Sequence, residues 1–446
     1  MKKRYKSTIL SCLIWGSGQF FFCKQRLKGL LFFAMQAVLV SIELNTGYWI
    51  NYFAGQIANF KIRLYGGFFT RGIWGLITLG EVPGAKGDHS ARLMIGGLIA
   101  LLVLFIFLAV YVGNILDAYK CGKAMENALA TANTKQSRSK QIKKKYPYMI
   151  LFPVAVLLLF ITAMPILFSV LVAFTNYDSN HIPPNTLLDW IGFQNFARVF
   201  NSPIWTKTFF LVLRWTIVWT ICATFTSYFA GLLQALILHS PHVKHKALFR
   251  SIYILPWAIP GMISLMVFKN VLNEQFGPLN QFLLDIGLIS TRIPFLTDSV
   301  LAKISILAVN LWISWPMFFV MLTGVLSNQD PTLYEAARID GAGKSQVLLK
   351  IKLPLLMHAT APLIVMNLSF NFTAFGTIYF LTGGQPTEPS YQFAAGSTDI
   401  LISWIYKLTI QQRMYSMASV MSILLFIFIA AVSYWNFKRT TSFKEV

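Results

Sequence analysis

One polar stretch between two long apolar runs reads Asp330-Pro331-Thr332-Leu333-Tyr334-Glu335-Ala336-Ala337-Arg338-Ile339-Asp340-Gly341-Ala342-Gly343-Lys344. Asp330 is a favourable N-cap residue, and Pro331 suits the first helical position, which needs no N–H donor. Gly341 can adopt the positive φ that ends a helix. The stretch therefore predicts a short helix of about ten residues, followed by a second helix from Lys344.

The flanking apolar runs belong to a chain that is apolar along most of its length. Of 446 residues, 56% are hydrophobic and 12% are charged, against about 25% charged in globular proteins, and the mean hydropathy is +0.59. Eight runs are long enough to cross about 30 Å of hydrocarbon as helices. They lie near residues 28–45, 93–116, 148–174, 209–238, 247–268, 301–326, 360–382 and 414–435. We therefore predict an all-α polytopic membrane protein with about eight transmembrane helices.

The apolar stretch from Ser7 to Phe22 is shorter than these runs. It has about 16 residues, contains Gly16 and Gly18, and is followed by Lys24. We interpret it as an interfacial or re-entrant segment, similar to a short glycine-glutamine hairpin found at the N-terminus of several bacterial membrane proteins. If it crossed the membrane instead, every later helix would have the opposite orientation.

The basic residues indicate how the helices are oriented. An even number of spans places both termini on one side, and that side carries 25 Lys and Arg residues against 10 on the other. The positive-inside rule therefore predicts cytoplasmic termini and a cytoplasmic position for residues 330–344. The net charge of +22 is explained by this asymmetry, and we expect no nucleic-acid binding because 20-residue apolar runs separate the basic clusters.

The polar and apolar segments also predict the domain organisation. The predicted parts are an N-terminal membrane segment at 1–117, a basic cytoplasmic linker at 118–147, a six-span core at 148–436 with a loop at 330–354, and a cytoplasmic tail at 437–446. The four cysteines, which form neither a CxxC pair nor a metal-ligand spacing, are Cys12, Cys23, Cys121 and Cys222. We interpret them as reduced structural residues and expect no metal, cofactor or catalytic residue.

The loop at 330–354 carries a resemblance to a known family. Glu335-Ala336-Ala337, three residues, Gly341, nine residues and then Ile351-Lys352-Leu353-Pro354 resemble the EAA loop of permeases from binding-protein-dependent ABC importers. The resemblance implies the type I ABC importer permease fold. It also implies contact with a separate ATPase subunit through Glu335, Ala336, Ala337, Asp340 and Gly341.

A fragment of this loop also looks like the end of a P-loop. Gly343-Lys344-Ser345 has the required ending, but Arg338 stands where a P-loop has glycine, and the fragment follows a predicted helix instead of a buried strand. We therefore expect ATP hydrolysis on a partner chain.

From about residue 246 onward the chain resembles the larger, eight-span type of maltose and maltodextrin permease. The matching runs are Lys246-Ala247-Leu248-Phe249-Arg250, Asp340-Gly341-Ala342-Gly343 and Phe370-Asn371-Phe372. The resemblance implies an oligosaccharide substrate, maltose or maltodextrin first, with another oligosaccharide as the alternative. The implied partners are a second permease subunit forming a heterodimer, two ATPase subunits, an extracellular or lipid-anchored sugar-binding protein, and membrane lipids.

A sugar path needs polar side chains for hydroxyl groups and aromatic faces for the ring C–H surface. Two stripes at helical spacing offer both, and positions matching them contact sugar in the maltose permease. The predicted substrate-binding residues are Asn310, Ser314, Met317, Asn367, Phe370, Asn371 and Ala374. In the alternative interpretation, the asparagines only connect helices and Phe370 faces lipid. Ser314, Met317 and Ala374 replace Gly, Tyr and Asn of the maltose permease, so the preferred sugar stays open.

Two other functions are compatible with a polytopic helical protein. An ion-coupled secondary transporter would favour acidic residues inside its spans, and the core spans contain essentially none. A membrane scaffold without transport would tolerate the loss of Asn310 and Asn371. The binding protein is expected to dock on small loops, including the loop at 383–386, Gly383-Gly384-Gln385-Pro386.

Overall fold

The computed structural model describes residues 3–46, 67–85, 87–128, 150–240 and 242–439. Within those ranges the regular secondary structure is helical, and the β pairing is one isolated bridge between Thr175 and Trp190. The all-α class is therefore confirmed. Most of the predicted linker, residues 129–147, and the last seven residues of the predicted tail lie outside the described residues.

The chain divides into two compact units, Met1–Gly192 and Phe193–Val446. The domain boundaries expected at 117 and 147 remain predictions. The helices of the first unit are α1 (Lys3–Leu13), α2 (Ser17–Phe21), α3 (Arg26–Thr46), α4 (Phe68–Thr78), α5 (Ser90–Ala128) and α6 (Ile150–Val172). The long helix α5 is their common support, because α1 and α4 both pack along it.

The N-terminal hairpin, residues 3–25, folds back against α5. At its start the Ser7 hydroxyl donates to the Ala118 carbonyl at 3.2 Å, and further along the Asn114 amide donates to the Ser11 carbonyl at 3.0 Å. Gly16 turns the chain with φ +79°. The chain then returns, so that the Cys23 thiol lies 3.9 Å from the Ser7 hydroxyl. Both ends of the hairpin therefore lie beside the same part of α5.

The second unit contains the remaining helices. They are α7 (Gln194–Asn201), α8 (Pro203–His239), α9 (Lys246–Ala258), α10 (Gly261–Val271), α11 (Pro278–Asp285), α12 (Ser299–Ser327), α13 (Pro331–Ile339), α14 (Lys344–Phe372), α15 (Phe375–Leu381), α16 (Leu401–Ile410) and α17 (Tyr415–Arg439). Helices α8 and α12 pack along much of their length. Gly231 permits this approach, since a Cβ there would lie 2.6 Å from the Phe318 Cβ.

Six helices in the described residues are long and apolar enough to span a membrane: α3, α5, α6, α8, α12 and α14. The predicted span at 247–268 is instead a bent pair, because α9 and α10 meet at 83°. Pro256 lies inside α9 and Pro260 precedes α10, and each proline removes a backbone donor. The final predicted span corresponds to α17.

The predicted span at 360–382 starts and ends differently in the structure. Helix α14 runs from Lys344 to Phe372, and the chain breaks at Thr373 and Ala374 before α15 begins. The Gln346 side chain accepts from the Gly343 N–H at 2.9 Å and stabilises the early start. Hydropathy placed the span too late because the first turns of α14 carry Lys350 and Lys352.

Candidate docking helix and translocation path

The predicted helix at the centre of the EAA-like loop is present as α13. The Asp330 carboxylate accepts from the Thr332 N–H at 2.9 Å, which satisfies a free donor of the first turn. This hydrogen bond lowers the pKa of Asp330 below its ordinary value. Gly341 ends the segment with φ +84°. The predicted N-cap at Asp330 and the predicted helix end at Gly341 are therefore confirmed.

The surface of α13 is open to a partner, since none of its residues is buried in the part of the chain that the structure describes. The predicted docking residues Glu335, Ala336, Asp340 and Gly341 are exposed, and Ala337 is half-buried. Sequence reasoning missed Ile339, whose apolar side chain is 87% exposed. Its signal in the sequence is an isoleucine between the charged Arg338 and Asp340. Ile339 therefore adds apolar surface to the exposed side of α13.

Helix α13 is attached to the next transmembrane helix through Tyr334. The Lys352 ammonium of α14 lies 4.9 Å from the centre of the Tyr334 ring, a cation–π contact. The Tyr334 hydroxyl donates to the Gln329 side chain. A displacement of α13 can therefore reach the start of α14 directly.

The predicted polar stripe of α12 centres on Asn310. The Ser314 hydroxyl donates to the Asn310 side-chain oxygen at 3.3 Å, while Met317 and Ser314 are half-buried. Asn310 is only 4% exposed, and its Nδ2 has no hydrogen-bond partner among the described residues. A buried polar group left unsatisfied costs about 1–3 kcal/mol. The amide is thus a donor available to a ligand or a water molecule.

The predicted stripe of α14 divides into buried and exposed positions. The Asn371 amide donates to the Thr224 hydroxyl at 2.8 Å and to the Asn367 side-chain oxygen at 2.9 Å. Ala374 is buried in the break after α14, whereas Phe370 is 68% exposed. The three-and-four spacing therefore does not place all four side chains in one environment. Asn371 connects helices, and Asn310 keeps a free donor.

Sequence reasoning missed a third polar stripe, on α8. Its buried hydroxyl residues recur at intervals of four, four and three, and they are Thr216, Thr220, Thr224 and Ser227. Thr224 accepts from Asn371, and the Trp219 indole of the same helix donates to the Asn371 carbonyl at 3.1 Å. The Ser227 hydroxyl has no partner in the described ranges. The regular spacing of hydroxyl residues in a long apolar run was the available signal.

The loop at 383–386, predicted to dock the binding protein, packs against a buried ion pair of Asp399. A buried ion pair joins the Lys407 ammonium to the Asp399 carboxylate at 2.6 Å. The same carboxylate accepts from the Gly396 N–H at 2.7 Å. Gly384 has φ +82°, and a Cβ there would lie 2.0 Å from an Asp399 side-chain oxygen. These contacts hold both ends of residues 383–400 next to the Asp399 carboxylate.

Comparison with known proteins identifies the family. Residues 227–442 match the family described as binding-protein-dependent transport system inner membrane component. Over 446 residues, 100% of both chains, the sequence is 39% identical to the Galactooligosaccharides transport system permease protein GanP of Bacillus subtilis (strain 168). The chain belongs to this family.

Other relatives of this permease are also sugar transport proteins. The Maltodextrin transport system permease protein MdxF of Bacillus subtilis (strain 168) is 37% identical over 454 residues, which cover 99% of this permease and 97% of MdxF. The Maltose/maltodextrin transport system permease protein MalF of Klebsiella aerogenes is 33% identical over 253 residues, 56% of this permease and 49% of MalF. The predicted resemblance to sugar ABC permeases is confirmed.

A solved structure confirms the fold. A chain in a bacterial alginate ABC transporter in complex with an alginate pentasaccharide-bound periplasmic protein matches with a TM-score of 0.56. The alignment covers 69% of this permease and 98% of that chain at 22% identity. Together with the family match and the sugar permease relatives, this fold makes the protein a multi-pass membrane permease of a sugar ABC importer.

Proposed function

We propose that this permease carries an oligosaccharide across the cytoplasmic membrane by alternating access, as one half of a heterodimer with a second permease subunit. Two ATPase subunits drive the cycle, and an extracellular or lipid-anchored sugar-binding protein delivers the substrate. The observation that carries the sugar path is the buried Asn310 Nδ2, which lacks a partner among the described residues. A sugar hydroxyl is an acceptor that would satisfy this donor.

The substrate proposed first is a galactooligosaccharide. The support is GanP, which is named for galactooligosaccharides and aligns over the full length at 39% identity. Ser314, Met317 and Ala374 also replace the residues that the maltose permease has at these positions. Maltodextrin is the second candidate, because MdxF is 37% identical over nearly the same length.

The proposed path lies on the stripes of α8, α12 and α14. Asn310 and Ser227 supply groups without partners in the described residues, and Asn371 keeps α14 close to α8. Exposed Phe370 is proposed to contact a sugar ring. Pro316 lies inside α12 beside the predicted sugar positions and lets this helix bend there.

We propose that the ATP-driven movement of the partner subunits is passed to this permease through α13. Glu335, Ala336, Ala337, Asp340 and Gly341 would contact an ATPase subunit, with Ile339 entering an apolar cleft of that partner. Closure of the two ATPase subunits would move α13, and the contact between Tyr334 and Lys352 would pass this movement to α14. This arrangement places α13 and both termini in the cytoplasm, and residues 383–386 on the opposite face, where the binding protein would dock.

The substrate assignment is tested by transport. We expect vesicles containing this permease, its second permease subunit, the ATPase and the binding protein to accumulate labelled galactotetraose in the presence of ATP. Excess unlabelled galactotetraose should compete at least tenfold better than maltotetraose. Better competition by maltotetraose would assign maltodextrin instead, and ATP-independent uptake driven by an ion gradient would contradict the proposed mechanism.

A further inference from the structure

Two buried tryptophans lie about one turn apart on α8 and donate hydrogen bonds to two different parts of the chain. The Trp215 indole N–H donates to the Thr398 carbonyl at 3.1 Å, and the Trp219 indole N–H donates to the Asn371 carbonyl at 3.1 Å. Trp215 is 7% exposed, and Trp219 is fully buried. Residues four apart on a helix share a face, so one face of α8 holds both partners.

The Thr398 contact attaches α8 to the loop that is predicted to dock the binding protein. The Thr398 hydroxyl donates to the Gln385 carbonyl at 2.6 Å, and Gln385 belongs to the loop at 383–386. Close to Thr398 in the sequence, the Leu401 N–H donates to the Thr216 hydroxyl of α8 at 2.9 Å. A displacement of this loop therefore acts on α8 directly.

The Asn371 contact attaches the same helix to the end of α14. The chain breaks after α14 at Thr373 and Ala374, and carbonyls in the last turn of a helix lack their intrahelical donor. The Trp219 N–H supplies a donor to one of these carbonyls, and the Asn371 side chain also donates to the Thr224 hydroxyl of α8 at 2.8 Å. Helix α8 therefore fixes the position of the polar stripe at the end of α14.

Both tryptophan rings also belong to one buried hydrophobic cluster. It contains Trp215, Trp219, Ala374 of the break, Ile378 of α15 and Ile400. Close-packed interiors transmit displacements, and a hydrogen bond in such surroundings is stronger than one in water. The docking loop, α8 and the end of α14 are therefore held to one another by packing as well as by hydrogen bonds.

We propose, on the basis of the function proposed above, that Trp215 and Trp219 are positioning residues that couple docking of the binding protein to the polar stripe of α14. The loaded binding protein displaces the loop at 383–386, and the Thr398 carbonyl moves with this loop. Helix α8 then shifts the end of α14, where Asn371 lies beside the proposed path. Both tryptophans act through their hydrogen-bond partners and not by touching the sugar.

The test measures ATP hydrolysis by the complete importer in lipid nanodiscs, with and without binding protein loaded with galactotetraose or, in a second arm, with maltotetraose. Trp215→Phe and Trp219→Phe each remove one N–H donor and keep an aromatic ring. In each variant we expect stimulation by the loaded binding protein to fall by about fivefold, while ATP hydrolysis without it stays unchanged. Because both residues act in one connection, the double variant should also lose about fivefold, instead of the roughly 25-fold expected of independent effects.

Trp404→Phe is the matched control. The Trp404 indole is fully buried and donates to the Phe393 carbonyl at 3.0 Å, so this variant loses a similar hydrogen bond but keeps those to Thr398 and Asn371. We expect it to keep wild-type stimulation.

The coupling role is overturned if Trp215→Phe or Trp219→Phe, present in the membrane at the wild-type level, keeps wild-type stimulation, or if Trp404→Phe loses as much as they do. Each of the two variants decides the result alone, so poor membrane insertion of one leaves the other as the test. Absence of stimulation in the wild type with either sugar would overturn the proposed function as well.

Discussion

Asn371 connects α14 to α8 through the Thr224 hydroxyl, beside the proposed sugar path. In Asn371→Ala we expect uptake at low sugar concentration to fall by about tenfold or the sugar preference to change, because the hydrogen bond that holds α14 to Thr224 of α8 beside the proposed path is lost. Assembly with the ATPase should be unchanged. Ser369→Ala is the matched control, since among the described residues this α14 hydroxyl bonds its own helix, at the Val365 carbonyl. Unchanged transport of every tested sugar would show that this connection does not shape the sugar path.

At the same scale, Lys407 is expected to stabilise the loop at residues 383–400. Lys407→Met leaves the buried Asp399 carboxylate without its counter-ion, and removal of one partner from a buried pair costs about 3–5 kcal/mol. We therefore expect a lower temperature of thermal unfolding, measured by tryptophan fluorescence in lipid nanodiscs. The double variant Asp399→Asn/Lys407→Met should recover part of the loss, because it removes both charges. An unfolding temperature equal to that of the wild type in Lys407→Met would show that the pair contributes nothing.

At the scale of a single element, α13 is the helix through which the permease is proposed to contact an ATPase subunit. Gly341→Leu should abolish ATP-driven uptake while membrane insertion stays intact, since no atom of the described residues lies within 4 Å of the position where its Cβ would be. The added side chain would instead obstruct the partner's surface. Uptake and membrane content are measured together.

Gly341→Asn distinguishes this obstruction from backbone strain. Asparagine tolerates the left-handed φ of +84° better than leucine, so a backbone effect alone would spare this variant. Normal uptake in Gly341→Leu would remove Gly341 from the docking surface.

At the scale of the whole molecule, the prediction concerns which face meets the cytoplasm. A reporter fused after Ala132 should read cytoplasmic, because the positive-inside rule places the basic linker there. Ala132 lies outside the described residues, so the expectation rests on the charge count. A second fusion after Gln385, in the loop on the opposite side, should read external. An external reading at Ala132 would mean that residues 7–22 cross the membrane.

The helices and the capped α13 were predictable from sequence because each depends on local chemistry, and the family was recognised by the resemblance of the loop at 330–354 to the EAA loop. Apolar runs of sufficient length must form helices in lipid, and Asp330, Pro331 and Gly341 define a short helix through their own backbone preferences. The bend between α9 and α10 was harder, since prolines at 256 and 260 indicate a kink without giving its angle of 83°.

The sequence alone therefore determined that this protein is a helical membrane permease with an EAA-like loop. Only the tertiary structure decided which polar groups have partners. It paired Asn371 with Thr224, left the Asn310 Nδ2 without a partner among the described residues, and brought the Ser7 hydroxyl to the Ala118 carbonyl of α5. Spacing along one helix predicts which residues share a face, but the environment of a side chain depends on the neighbouring helices. Those neighbours come from distant parts of the chain, so no local pattern specifies them.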